Sequence, residues 1–213
     1  REIADLNNIA NPNAIKVSQV LNLPPKKGIE TAENQVEITV EGKAVNYLFK
    51  KTVQKIVLGK IFKKGIFRRG SYNTERFVKA NTELLSSLKM SGSEVNALLA
   101  TSENAENLEA VNTWDNSFMS WGMFQWTLGQ GENAGELAAL LKSVKEKQAA
   151  SFKAFFGDFG LDVSADTNNT TGYLLLNGKK LKTVDAKEAL TNNNWALRFA
   201  LAGQEPSICA VQV

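Results

Sequence analysis

The chain has no histidine. That absence excludes Ser-His-Asp and Cys-His hydrolases, histidine-ligated zinc and histidine general bases. A single cysteine, Cys209, leaves no internal disulfide and no paired-cysteine metal or redox site. It lies in "SICAVQV" among apolar neighbours and reads as a small buried hydrophobe. No apolar run approaches the ~18 residues of a membrane helix. No basic-then-apolar leader opens the sequence, so membrane insertion is not expected. The first residue is Arg1 rather than methionine, and the chain is read as a piece of a longer protein, whose targeting signal, if any, is out of view. Long internal repeats and low-complexity tracts are also missing. Any chemistry must then rest on carboxylates, hydroxyls, amides, lysines or a carboxylate-held metal, and no motif calls for a metal or cofactor.

What is present suits one globular domain of ordinary size, or one with a small appendage: 213 residues, 43% hydrophobic and 22% charged. The net charge of +3 is unevenly spread. Between Lys43 and Arg69 nine residues are basic and none is acidic. Such a stretch can face an anionic polymer, nucleic acid or wall glycan, or it is simply a solvated basic face. Its aromatic residues Phe49, Phe62 and Phe67 read as buried, which argues against base stacking and hence against nucleic acid as a partner.

Along the chain, "PKKGIETAEN" is a polar linker and marks a boundary. "QVEITVEG" alternates as a strand, with Val36, Ile38 and Val40 on one face. From Asn73 the pattern turns helical through Phe77, Leu84, Leu85 and Leu88. Ser91 with Glu94 forms a capping box ahead of Val95, Leu98 and Leu99. Leu137, Leu140, Leu141 and Val144 define another amphipathic helix, which Phe152, Phe155 and Phe156 extend to Gly157. "GYLLLNGKKLKT" predicts a hairpin turning at Asn177-Gly178. "NNNWALRFALAGQEP" predicts a helix capped by asparagine and stopped at Gly203, with Pro206 opening a last one.

The opening "ADLNNIANPNAIKVSQVLNLPP" resembles the second half of a LysM repeat. Leu6, Asn7, Asn11, Pro12, Ile15, Val17, Gln19, Leu21 and Pro24 match, and Ser18 stands where the family has glycine. The resemblance implies a remnant of a module that holds N-acetylglucosamine chains. It sets the expected organisation: a partial LysM-like segment at 1–25, a linker at 26–35 and a catalytic domain at 36–213.

"TSENAENLEAVNTWDNSFMSWGMFQWT", Thr101 to Thr127, concentrates acids and indoles. Glu103 follows Leu99 by four residues, which at about 100° per residue sets it near the core face of a short helix at its last turn. Partial burial and the helix C-terminus both oppose a carboxylate's charge and raise its pKa, as a general acid near neutral pH requires. The plain alternative is a surface glutamate near a helix end. Indoles stack their flat faces on sugar rings, and asparagine and glutamine bind hydroxyl and acetamido groups. Strand alternation groups Met119, Trp121, Met123 and Gln125 on one face, opposite Phe124 and Trp126.

A helix ending in glutamate, a strand-rich stretch with Ser-x-Gly-x-x-Gln and then another helix resembles the lysozyme superfamily, closest to goose-type lysozymes and lytic transglycosylases. The resemblance implies a mainly helical α+β fold with small β-hairpins. It implies Glu103 as general acid and a cleft floor with Gly122 and Gln125, joined by Ser120 of "SWGMFQW". Trp114 and Trp121 are expected on the sugar side and Trp126 in the core, with Tyr173 and Arg198 returning to the cleft from later in the chain. Asn104 departs from the family's serine, and the Glu-to-Gln spacing is longer by the "NTWDN" loop. Asp115 in that loop is similar to the aspartate that positions water in phage-type lysozymes, although Asp-Asn is also an ordinary turn pair. Glu109 is the other candidate for that role, and a single-glutamate enzyme the third.

The implied activity is hydrolysis of the β-1,4 bond between N-acetylmuramic acid and N-acetylglucosamine in peptidoglycan. The implied setting is a secreted or periplasm-delivered antibacterial effector of the type VI secretion kind, with an immunity protein or secretion apparatus as further partners. The rival readings are a non-catalytic glycan-binding module, a lytic transglycosylase and a chitosanase, the last of which would want an acidic cleft.

Overall fold

The computed structural model describes residues 38–41, 44–49, 52–62, 65–103 and 105–213. The expected half-repeat at 1–25, the linker at 26–35 and Val36 lie outside them. Three antiparallel sheets and eight α-helices are described among these residues. Strands β1 (Ile38–Glu41), β2 (Ala44–Phe49) and β3 (Thr52–Val57) form a meander in that order. Five short strands make the second sheet, in chain order: β4 (Lys60–Phe62), β5 (Gly65–Arg68), β6 (Val111–Asn112), β7 (Ser120–Trp121) and β8 (Trp126–Thr127). Between β5 and β6 the chain makes helices α1 (Thr74–Ala80), α2 (Thr82–Ser87) and α3 (Gly92–Ser102).

The single helix expected from Asn73 is two, because the Asn81 side chain donates to the carbonyl of Phe77 at 2.9 Å and draws that carbonyl out of a continuous helix. Helix α3 starts where the capping box says it should. Ser91 Oγ accepts from Glu94 N at 3.3 Å, and Ser91 N donates back to Glu94 Oε2 at 2.7 Å. The stripe expected to face the core is only half-buried, and none of the residues of α3 is fully buried.

Helix α4 (Glu136–Lys147) is the centre of the molecule: Leu137, Leu140, Leu141 and Val144 are buried as their spacing predicts. It ends at Gln148, where the backbone leaves helical geometry, and a separate helix α5 (Ala149–Phe155) follows. A 3-10 turn (Gly157–Phe159) leads into β9 (Leu161–Val163), which pairs with β10 (Leu174–Leu176), itself paired with β11 (Lys179–Lys180). The turn between β10 and β11 holds Asn177 and Gly178 at φ of 50° and 77°, the left-handed pair that a two-residue hairpin demands. Helix α6 (Val184–Glu188) precedes α7 (Asn193–Ala202) and α8 (Pro206–Gln212). Asn192 caps α7 by accepting from Trp195 N at 3.1 Å, and Gly203 ends it.

The main core joins the second sheet to α4, α5 and α7. Trp121, Phe156 and Phe199 meet there, with ring centroids 4.9 to 6.0 Å apart, each such pair adding about 0.5–1.5 kcal/mol beyond its buried area. A second cluster of Phe77, Leu85, Leu108, Met123 and Cys209 ties α1 and α2 to α8. Cys209 is fully buried there, and burial pushes its thiol well above the ordinary range.

Candidate functional site

Asp115 lies in the connection from β6 to β7, and each oxygen of its carboxylate accepts one hydrogen bond. Oδ2 accepts from Asn112 Nδ2 at 2.7 Å and Oδ1 accepts from Ser117 N at 2.8 Å. Asn112 also uses Oδ1 to hold Trp114 N at 3.1 Å. The Asp-Asn turn therefore exists as ordinary turn chemistry predicts, and it presents the acid at a cleft of about 650 Å³. Phe118, held at φ 63°, is in the wall, and Asn116, Gln130, Glu188 and Thr191 supply polar edges. Two carboxylates, Asp115 and Glu188, border this cleft, and among the described residues no lysine or arginine lines it.

Lys187, next to Glu188, turns away from the cleft and is fully buried. Its ammonium donates to the carbonyls of Gly129 and Asn133 at 2.8 and 2.6 Å and sits 5.7 Å from the centre of the Phe118 ring. Burial draws its pKa down, against the pull of Glu132. The lysine thus fixes the segment that carries Gln130 and Gly131 to the cleft. Beside the Asp115 turn, Trp114 is 41% exposed and stacks on Phe62, 42% exposed, with ring centroids 4.9 Å apart. Phe62 was expected to be buried. Here it and Trp114 form an exposed flat apolar patch, while Phe67 is half-buried and the side chain of Phe49 lies outside the described residues.

Several expected site residues take other places. Glu103 is the C-terminal cap of α3 and is exposed: the stripe that it continues is only half-buried, with Leu98 packed against the second cluster, and that cover does not extend to position 103. It is not among the residues lining the Asp115 cleft. Trp121 is 0% exposed and belongs to the core. The alternation of Met119, Trp121 and Met123 is real, but that face points inward, and Phe124 on the other is exposed. Trp126 is half-buried and packs against both clusters. Ser120 is buried in β7 opposite Thr127.

Gly122 and Gln125 shape the β7–β8 turn. Both have positive φ, 79° and 51°, and Gln125 Nε2 donates to the Gly122 carbonyl at 3.0 Å. A Cβ at Gly122 would strike Gln212 Oε1 and the ring of Trp126. Tyr173 donates its hydroxyl to the Glu132 carbonyl at 3.0 Å and, like Arg198, does not line the Asp115 cleft.

The buried acid of this region is Glu109, 0% exposed. Burial opposes its charge, but the backbone N–H of Ser71 at 2.6 Å, Arg68 Nη2 at 2.7 Å and the Gln204 amide outweigh that cost. Its carboxyl is accordingly held below the ordinary value, which makes it a structural anion and not a proton donor. The signal was in the sequence: Glu109 interrupts the apolar "LEAV", whose Leu108, Ala110 and Val111 are all buried, and Arg68 is its complement. Glu188, Gln130 and Thr191 had no comparable signal. No family model matches the chain, and no curated protein or solved structure matches it.

Proposed function

We propose that this domain cuts the glycan strands of peptidoglycan as a lysozyme-type hydrolase. The observation that carries the reading is Asp115, fixed through both carboxylate oxygens at the edge of a polar cleft and flanked by the exposed Trp114–Phe62 pair. A carboxylate so held can orient water against a sugar carbon, and flat aromatic faces beside it suit pyranose rings. Glu103 is kept as the general acid on the family resemblance. Supporting it is the order of elements: a helix ending at Glu103, then β6, the Asp115 turn, β7, β8 and the buried helix α4. The polymer lies outside the cytoplasm, so the domain would act after secretion or delivery into another cell's periplasm.

A second assignment of the acid has its own observation: Glu188 shares the cleft with Asp115, and Glu103 does not. Mass spectrometry of peptidoglycan digested by wild type, Glu103→Gln, Asp115→Asn and Glu188→Gln decides among these readings. The expected result is reducing muramic ends from wild type and a loss of about a hundredfold or more in Glu103→Gln and Asp115→Asn. Loss in Glu188→Gln with activity kept in Glu103→Gln would move the acid to Glu188. Anhydro-muramic ends would identify a transglycosylase. A wild type that binds walls but releases nothing would make this a binding module.

A further inference from the structure

Helix α7 is buried from Trp195 to Ala202, and one residue in that run is charged. Arg198 is 9% exposed. Its guanidinium carbon stands 3.2 Å from the centre of the Phe159 ring and 5.9 Å from that of Trp195. Among the described residues it makes no hydrogen bond and no ion pair. Burial alone lowers its pKa to about 10, and no acid is near enough to oppose the shift.

Several exposed or half-buried lysines meet acids: Lys142 with Glu146, Lys145 with Asp162, Lys153 with Asp158 and Lys180 with Asp166. Arg68 has Glu109, and buried Lys187 has two carbonyls. Arg198, the most buried guanidinium among the described residues, has neither an acid nor a carbonyl among them. Stacking on Phe159 offsets part of the desolvation cost, but a ring face takes up none of the N–H donors, which radiate in the guanidinium plane. None of the Arg198 nitrogens is among the polar atoms sealed from solvent without a partner, so the donors can still be reached.

We propose that Arg198, braced on Phe159 and Trp195, is the receptor for a carboxylate carried by a small ligand, gripped through the planar fork of the guanidinium. The inference does not depend on the reading of the Asp115 cleft. A buried, pre-stacked guanidinium loses little freedom when it engages a planar oxyanion, and a two-point grip selects carboxylate geometry over a spherical anion.

The test is to follow the arginine Nε–Hε signals of the folded protein by NMR while adding sodium acetate, inorganic phosphate, or sodium chloride at matched ionic strength. Arg198→Lys serves both for assignment and as the variant that keeps charge but loses the fork. The expected result is a saturable shift confined to the Arg198 signal, half-complete in the millimolar range with acetate, and acetate binding at least about tenfold weaker in Arg198→Lys. A response to chloride equal to that to acetate, or equal shifts at every arginine, overturns the proposal. Tighter binding of phosphate than acetate overturns the carboxylate assignment. Should Arg198→Lys not fold, the Arg198 signal is assigned from its proximity to the Phe159 and Trp195 rings, and the wild-type titration decides.

Discussion

Arg68 Nη2 and Glu109 Oε2 lie 2.7 Å apart, joining the end of β5 to the turn before β6. The same carboxylate accepts from Ser71 N and Tyr72 N through Oε1 and from the Gln204 side chain through Oε2. One anion thus ties together the start of the helical segment, the strand that leads to Asp115 and the link between α7 and α8.

Replacing Glu109 with alanine should cost about 3–5 kcal/mol, since it removes the buried anion that a partly buried guanidinium and two backbone donors share. Urea unfolding would measure it. Because the folded pKa is below the unfolded value of 4.5, the contribution is complete above that pH and disappears as pH falls through the folded value. The stability gap between wild type and Glu109→Gln should therefore be constant from pH 7 to about 5 and narrow below 4.5. A gap independent of pH down to unfolding would contradict the ionised, hydrogen-bonded state.

Trp121 and Trp114 should separate stability from binding. Trp121→Ala removes a core indole and should cost about 3–5 kcal/mol. Trp121→Phe should cost less, because it also removes a buried indole N–H that has no acceptor. Trp114→Ala should leave the melting temperature nearly unchanged and weaken binding to wall glycan on the order of tenfold. Sedimentation with insoluble peptidoglycan, beside thermal melts, tests both halves.

Gly122→Ala should be harmful out of proportion to its one methyl group. It asks an L-residue to hold φ 79° and drives a carbon into Gln212 and Trp126, which together cost roughly 2–4 kcal/mol. If shortening the residue behind the turn relieves the clash, Gly122→Ala with Gln212→Ala will be less unstable than the two single losses added. A strictly additive double mutant would refute that contact.

Lys187→Met keeps the buried stem but strips both carbonyls of their donor, each loss costing about 1–3 kcal/mol. Hydrogen exchange should quicken between Gly129 and Asn133, the segment that supplies Gln130 to the cleft. Unchanged exchange there would mean that the loop is held by something else.

Where the signal was local, sequence reasoning reached the structure. The Ser91–Glu94 capping box, the Asn177-Gly178 turn, the Asn192 cap and the four buried residues of α4 depend on neighbours a few positions away. Glu103 was misplaced because periodicity finds the apolar stripe of a helix without telling how far along it the covering elements reach. Trp121 was misplaced for a related reason: alternation sorts residues into two faces and is silent on which one turns inward. The cleft pairs Asp115 of a sheet turn with Glu188 of a distant short helix, a meeting that only tertiary packing creates.

Gln212 donates to the Leu108 carbonyl at 3.2 Å and backs onto Gly122 from the last helix. The partners are 104 residues apart in the chain, so the turn beside Trp121 is locked from behind only once α8 has docked. A cut within α8 should therefore be felt first at the β7–β8 turn, far from the cut in sequence.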